Sequence, residues 1–208
     1  GPMRLRGIQC EDEGTVLRTA DIGTDITLGK DFASLDGNLN LAGSQLAYAG
    51  SAVDQIDGDM RIGWREGLLS LNHDLRGRNA QTLIGELGTI TATGTLRVGD
   101  AFAATDWSAR IEGEGVAIGD VLSLQIADAR EAASGTLIEP LLRKFERAWD
   151  GASKDARLAG DITVRSNEGA FNVVVPEARI RSSAGNTLVA LSRVSVSTNG
   201  SDPARFSG

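Results

Sequence analysis

Hydrophobic and polar residues alternate along most of the chain, which is the pattern of β-strands with one apolar face. The stretch IDGDMRIGW (residues 56–64) puts Met60, Ile62 and Trp64 on one side and charged residues on the other. The turn REG follows, and LLSLNHDL then alternates again, so we predict an antiparallel hairpin. At least ten short strands are predicted, because the same pattern recurs in DGNLNLAGSQLAYAG, GTITATGTLRVGD, DWSARIEGEG, ARLAGDITVRS, GAFNVVVPEARIRS and NTLVALSRVSVS.

One stretch departs from this alternation. In GTLIEPLLRKFERAWDG (residues 135–151), apolar residues recur every three or four positions, which is the period of an α-helix. Thr136 and Glu139 have the spacing of a capping box, and Gly151 follows the last apolar residue as a C-terminal stop. We therefore predict one short amphipathic helix at about 136–150 that rests its apolar face on another surface.

The segment before this helix, DVLSLQIADAREAAS (residues 120–134), fits two interpretations. Leu122, Leu124 and Ile126 alternate as in a strand, whereas ADAREAA has helical propensity. We predict a strand followed by a loop.

Composition favours a sheet and removes one class of partner. The chain has 26 glycines and only 4% aromatic residues, which suits many strands joined by tight turns. Its net charge is -7 and its basic residues are dispersed, whereas nucleic-acid binding depends on clustered Lys and Arg. Nucleic acid is therefore excluded as a partner.

Both ends of the chain bear on its organisation. Gly1, Pro2 and Met3 resemble the scar that a protease leaves when a tag is removed. Residues 4–208 are predicted to be a single β-rich segment of a longer protein, interrupted by the helix at 136–150. No apolar run of about 18 residues is present in the sequence, so no membrane-spanning helix is expected.

No motif points to an enzyme. The single histidine, His73, has the parity of Leu69 and Leu71, so it is expected on the apolar side as a hydrogen-bonded structural residue; a β-scaffold hydrolase that uses His73 is the competing hypothesis. One histidine and one cysteine are too few for a typical zinc site. Asp54, Asp57 and Asp59 lack the register of a calcium loop and are expected to be solvated carboxylates.

The glycine-rich stretch GEGVAIG (residues 113–119) resembles a dinucleotide-binding loop with its last glycine one position late. We interpret it as a plain turn, because DVLSLQI after it alternates and no βαβ repeat is visible. We expect no catalytic residue, metal or cofactor.

One-sided strands must cover their apolar faces, and two architectures can do so. A closed β-sandwich packs the faces against each other, as in a structural or adhesive module. An open, folded sheet instead keeps an apolar trough for another molecule, such as acyl chains. The abundance of small apolar residues and the scarcity of aromatic residues favour the trough, while the sandwich stays open as the alternative.

The last third of the chain resembles a known family. The segments ASGTLIEPLLRKFERAW and ARLAGDITVRSNEGAFNVVVPEARIRSSAGNTLVALSRVSVS are similar to the middle of the YdbH-like proteins. These are relatives of TamB in the AsmA-like group of Gram-negative envelope proteins. The resemblance covers about 75 residues and includes no catalytic signature.

The resemblance implies a mainly β fold, a long antiparallel sheet folded into an open, taco-like groove with one short helix. It further implies a periplasmic protein that is anchored in the inner membrane, moves phospholipid to the outer membrane and meets a lipoprotein there. Phospholipid acyl chains would then lie on a groove formed by Leu39, Leu41, Met60, Ile62, Trp64, Leu69, Leu71, Phe171, Val173, Val175, Ile180 and Leu188. We further predict that the helix acts as a gate on this groove through Leu141, Leu142, Phe145 and Trp149; the alternative is that it covers an exposed end of the sheet.

Overall fold

The structure is a computed structural model. It describes residues 1–12, 15–30, 33–48, 50–82, 85–99, 104–118, 120–136, 139–140, 143–144, 156–167, 170–199 and 205–207.

The described residues form eleven strands, a helix of thirteen residues and parts of a second helical segment. The strands are β1 (Pro2–Asp12), β2 (Thr15–Leu28), β3 (Ser34–Tyr48), β4 (Ser51–Arg65), β5 (Leu68–Gln81), β6 (Gly85–Gly99), β7 (Ala104–Ile118), β8 (Ala156–Asn167), β9 (Ala170–Arg181), β10 (Thr187–Asn199) and β11 (Arg205–Ser207). The helix α1 (Asp120–Ala132) lies between β7 and β8 in the chain.

All eleven strands belong to one sheet, and their order in the sheet is their order in the chain. Every neighbouring pair is antiparallel, and β1 and β11 form the two edges, so the sheet is open. The predicted mainly β fold with a long antiparallel sheet is confirmed. The described strands make no second sheet, so the alternative β-sandwich architecture is wrong for this part of the chain.

The predicted hairpin is present as β4 and β5. Trp64 pairs with Leu69 and Ile62 with Leu71, and the connecting residues Glu66 and Gly67 have φ of 51° and 80°. Two consecutive positive φ angles are typical of a type I′ turn, whose twist matches that of the flanking strands. The short REG link between two alternating segments was therefore enough to predict this hairpin.

The strand register separates two surfaces. Directly paired residues of antiparallel strands share a side, and Leu39, Met60 and His73 are successive partners on β3, β4 and β5. Their neighbours in the chain, Asn40 and Asp59 among them, are successive partners on the other side. We call the first side the apolar face and the second the polar face.

The apolar positions change phase partway along the strands. On β5 they run through Leu75 and Gly77 and then continue at Ala80, three residues on instead of two, and Asn79 between them has a φ of 52°. The partners of Gly77 and Ala80 on β4, Ile56 and Val53, show the same spacing of three. A left-handed residue at this point keeps the same face apolar beyond the change of phase.

The core of the sheet is made of small side chains. Its buried apolar residues are Ala20, Ala80, Val98, Ala109, Val116 and Ala156, and no large side chain in the described part is fully buried. Several large apolar side chains are exposed instead, including Leu5 and Leu191. The sheet is therefore held mainly by its backbone ladders and cross-strand contacts, and no second layer among the described residues packs on its apolar face.

The prediction of a strand and a loop in DVLSLQIADAREAAS was wrong. Residues 120–132 form α1, and β7 ends just before it at Ile118. Alternation over only three apolar residues is weak evidence for a strand. The Ala, Leu, Gln, Arg and Glu residues of this segment, by contrast, are strong helix formers. A helix therefore does follow GEGVAIG. However, β7 and β8 on either side of it are antiparallel, whereas the strands of a dinucleotide-binding βαβ unit are parallel.

The predicted helix at 136–150 is described only in part. Residues 139, 140, 143 and 144 are helical. The predicted gate residues Leu141, Leu142, Phe145 and Trp149 lie outside the described residues. Glu139 does accept a backbone hydrogen bond, but from Gly135 at 2.8 Å, one residue before the predicted partner Thr136.

Candidate apolar binding face

The twelve predicted groove residues all lie on the apolar face, in two groups. The first group, on β3 to β5, comprises Leu39, Leu41, Met60, Ile62, Trp64, Leu69 and Leu71. The second group, on β9 and β10, comprises Phe171, Val173, Val175, Ile180 and Leu188. Leu188 sits at a register shift between Thr187 and Val189, and it packs with Ile180 against Val116 and Ala156.

The strands between these groups extend the apolar face without a gap, which the sequence reasoning missed. One continuous row of direct partners crosses nine strands, from β2 to β10: Ile26, Gly37, Ile62, Leu71, Leu96, Trp107, Val164, Val173 and Val196. The sequence does contain the pattern that predicts these apolar strands, because hydrophobic and polar residues also alternate in GTITATGTLRVGD and DWSARIEGEG. Only the register shows that their apolar residues continue the same rows.

This face is open to solvent. Phe171 and Leu191 remain 40% and 46% exposed, and Met3 near the β1 edge is 49% exposed. The other large apolar residues of the predicted groups are half-buried by their neighbours in the sheet. Contiguous exposed apolar surfaces of this kind mark sites that contact a protein, a membrane or an apolar ligand.

His73 lies on the apolar face, as its parity predicts, and is 7% exposed. Its Nε2 accepts a hydrogen bond from Trp107 Nε1 at 2.8 Å, and its Nδ1 lies 3.0 Å from the carbonyl oxygen of Ala92. Because an indole N–H can only donate and a carbonyl can only accept, these partners assign the neutral tautomer with the proton on Nδ1. Both ring nitrogens are engaged, which suits a structural histidine.

Trp107 reaches His73 across the intervening strand β6. The two rings are stacked, with centroids 6.2 Å apart and planes inclined by 30°. On β6 the residue opposite His73 is Gly94, which has no side chain to separate the rings. The pair therefore hides its polar atoms within the apolar face.

One further polar group on this face is buried. Thr24 is 8% exposed, and its Oγ1 has no hydrogen-bond partner in the described part of the chain. A buried hydroxyl without a partner lowers the stability of the fold.

The polar face carries rows of charged and hydroxyl side chains. Exposed ion pairs join neighbouring positions, including Arg65 with Asp36 at 2.9 Å and Arg110 with Glu112 at 2.8 Å. The hydrogen bond and charge of Glu112, with a contribution from Asp161, raise the pKa of the Arg110 guanidinium above its usual value. Exposed pairs of this kind add little stability, so their main effect is to keep this face wet.

The predicted solvated carboxylates on β4 have separate partners. Asp54 accepts a hydrogen bond from Asn79 at 3.1 Å, Asp57 lies 3.8 Å from Arg78, and Asp59 accepts one from Asn40. Within the described ranges, no group of three His, Cys, Asp or Glu side chains could hold a metal ion.

Outside the sheet, the surroundings of Glu139 change the pKa of its carboxylate. The backbone N–H of Gly135 donates to Glu139, and Arg143 lies beside it, so the pKa of Glu139 is lowered despite partial desolvation. These contacts tie Glu139 to the turn that follows α1. Of the helices in the described residues, none is long and apolar enough to span a membrane.

Comparison with known proteins yields no relative: no protein-family model, no curated protein and no solved structure matches this chain.

Proposed function

We propose that this chain is a segment of a bridge-like periplasmic protein that moves phospholipid between the inner and the outer membrane. Acyl chains would lie on the apolar face of the sheet. The observation that carries this proposal is the row of apolar residues that crosses β2 to β10 and is covered by no second layer among the described residues.

Acyl chains suit this face better than other ligands do. Nine strands at about 4.8 Å spacing give an apolar row roughly 40 Å long, so the surface is far larger than a pocket for a compact ligand. The hydrogen-bonding groups of His73 and Trp107 are already paired with each other, so they do not favour a peptide or a sugar. Each methylene buried on such a surface gains about 0.8 kcal/mol relative to water.

The proposal includes a sheet that bends around its apolar face as a taco-like groove. Glycines on this face support it: a Cβ added at Gly94 would lie 2.7 Å from the Cα of Ala109, and one at Gly58 would lie 2.9 Å from the Cα of Leu75. The backbone of the next strand thus occupies the space on the apolar side where a side chain would stand. Glycine at such positions favours strong bending of a sheet.

The resemblance to the YdbH-like and TamB-like proteins supports the remaining parts of the proposal. These are the periplasmic location, an anchor in the inner membrane and an outer-membrane lipoprotein as partner. No catalytic group or cofactor is required, because transfer along an apolar face is a matter of binding. The gate formed by Leu141, Leu142, Phe145 and Trp149 stays a prediction.

Lipid that co-purifies with the chain provides the test. We expect the protein expressed in the periplasm of a Gram-negative bacterium to retain phospholipid, detected by mass spectrometry after solvent extraction. Ile62→Glu places a charge in the middle of the apolar row, so it should lower the retained lipid at least about tenfold.

The control is Arg61→Glu, which places the same carboxylate one residue away on the polar face and changes the net charge by two units instead of one. It should leave the retained lipid unchanged, and both variants should keep the circular dichroism of the parent. Lipid-free parent protein, or equal loss of lipid in both variants, would contradict the proposal.

A further inference from the structure

The polar face contains a second surface feature that the proposed function does not use. An open depression of about 980 Å³ lies between side chains of β5 to β9 and the turn after β9. Six arginines line it, against four carboxylates: Arg76, Arg78, Arg110, Arg157, Arg179 and Arg181. Although the chain has a net charge of -7 and its basic residues are dispersed along the sequence, the sheet brings these six arginines together, so the depression carries an excess of positive charge.

Two of these arginines oppose each other directly. Arg157 on β8 and Arg181 on β9 are register partners, and Arg179 lies two positions along on the same face. Like charges directly opposite on adjacent strands destabilise a sheet. This end of the depression therefore holds two neighbouring positive charges that repel each other.

The nearby carboxylates do not neutralise the cluster. Arg157 pairs with Glu114 at 3.4 Å, and Arg179 pairs with Glu177. Within the described part of the chain, Arg181 makes no ion pair or hydrogen bond through its side chain. One guanidinium of the opposed pair is thus available, in a place where its neighbour repels it.

A turn closes the depression next to Arg181. The N–H of Ser182 donates to the carbonyl oxygen of Asn186 at 2.9 Å, and the N–H of Asn186 donates to Ser182 Oγ at 3.2 Å. Ser183 and Gly185 in this turn also line the depression, and Ser183 is exposed. The turn therefore offers a hydroxyl donor at the same end as the opposed arginines.

We propose that this end of the depression, formed by Arg157, Arg179, Arg181 and Ser183, binds a phosphate group, either free or in a lipid headgroup. Guanidinium forks match the oxygens of phosphate in pairs, and a multiply charged anion between Arg157 and Arg181 would remove their repulsion. The site lies on the side of the sheet opposite the proposed acyl-chain surface. It does not depend on the lipid-transfer proposal.

Titration calorimetry at low ionic strength tests the site with inorganic pyrophosphate as the probe. Arg181→Gln should weaken binding at least about tenfold, since it removes a charge-assisted contact. The matched control Arg61→Gln removes an exposed arginine of the same face on β4, outside the depression, and should leave the affinity unchanged. Without phosphate, Arg181→Gln should melt at the same or a higher temperature than the parent, because the repulsion with Arg157 is gone.

Vesicle sedimentation distinguishes the two sources of phosphate. If phosphatidylglycerol vesicles bind in an Arg181-dependent manner while pyrophosphate and phosphatidylcholine vesicles do not, the ligand is a headgroup phosphate on an anionic surface. If pyrophosphate binds in that manner, free phosphate compounds are sufficient. If neither probe binds, or if both variants weaken binding equally, the proposal is overturned.

Discussion

His73 and Trp107 fix each other's orientation on the apolar face. The 2.8 Å hydrogen bond from Trp107 Nε1 to His73 Nε2 satisfies both polar atoms at a place where neither meets a charged side chain on the same face. The other ring nitrogen of His73 is held by Ala92. The lone histidine of the sequence thus has a structural explanation that needs no catalytic partner.

We predict that Trp107→Phe destabilises the fold by about 1–3 kcal/mol, because it leaves Nε2 of the buried His73 without a donor. Urea unfolding of Trp107→Phe, His73→Leu and the double variant measures the coupling between the two residues, which should be at least about 0.5 kcal/mol. Trp64→Phe, on the same face, is the control for loss of indole packing alone. Additive effects of the two single variants would show that the hydrogen bond does not matter.

At some positions of the sheet, glycine allows neighbouring strands to approach closely. At Gly94 on β6, the backbone of β7 lies so close that an added methyl group would meet Ala109 Cα at 2.7 Å and Ala109 Cβ at 2.9 Å. On β2, by contrast, a methyl group at Gly23 would have only the Asn40 side chain nearby, at 3.8 Å. The same residue type therefore has different roles in neighbouring parts of one sheet.

Gly94→Ala is expected to lower the free energy of unfolding by about 1–3 kcal/mol, since β6 and β7 must move apart to admit the methyl group. Gly23→Ala should be neutral or stabilising by up to about 1 kcal/mol through the unfolded state. Thermal and urea unfolding of the two variants provides the comparison. Equal effects would mean that β6 and β7 do not approach as closely as described.

Local sequence patterns predict the strands and their apolar faces. They do not predict that the apolar residues of successive strands form continuous rows across the sheet. Alternation and a short turn predict β4, β5 and the side on which Ile62 and His73 lie, because a strand has a period of two. The change of phase at Asn79 and the helix α1 were not predicted. The first depends on one left-handed residue, and the second on helix propensity that outweighs a brief alternation.

At the scale of the whole molecule, the described strands form a single layer. A sheet of eleven sequential strands keeps most of its contacts between neighbours in the chain, and its described residues supply nothing to cover the apolar face. The predicted groove residues do not form a closed core. The same holds for the apolar residues of β6 to β8 that continue the same rows. The proposal that acyl chains lie on the sheet rests on this exposed apolar face.

Site-specific photo-crosslinking in living Gram-negative cells tests this account most directly. A photoreactive amino acid is placed at Ile62 or Val173 on the apolar face, and at their chain neighbours Arg61 or Asn172 on the polar face. We predict phospholipid adducts, detected by mass spectrometry, from Ile62 and Val173 and none above background from Arg61 and Asn172. Adducts of equal yield from both faces, or none from either, would contradict the assignment of the apolar face as the surface for acyl chains.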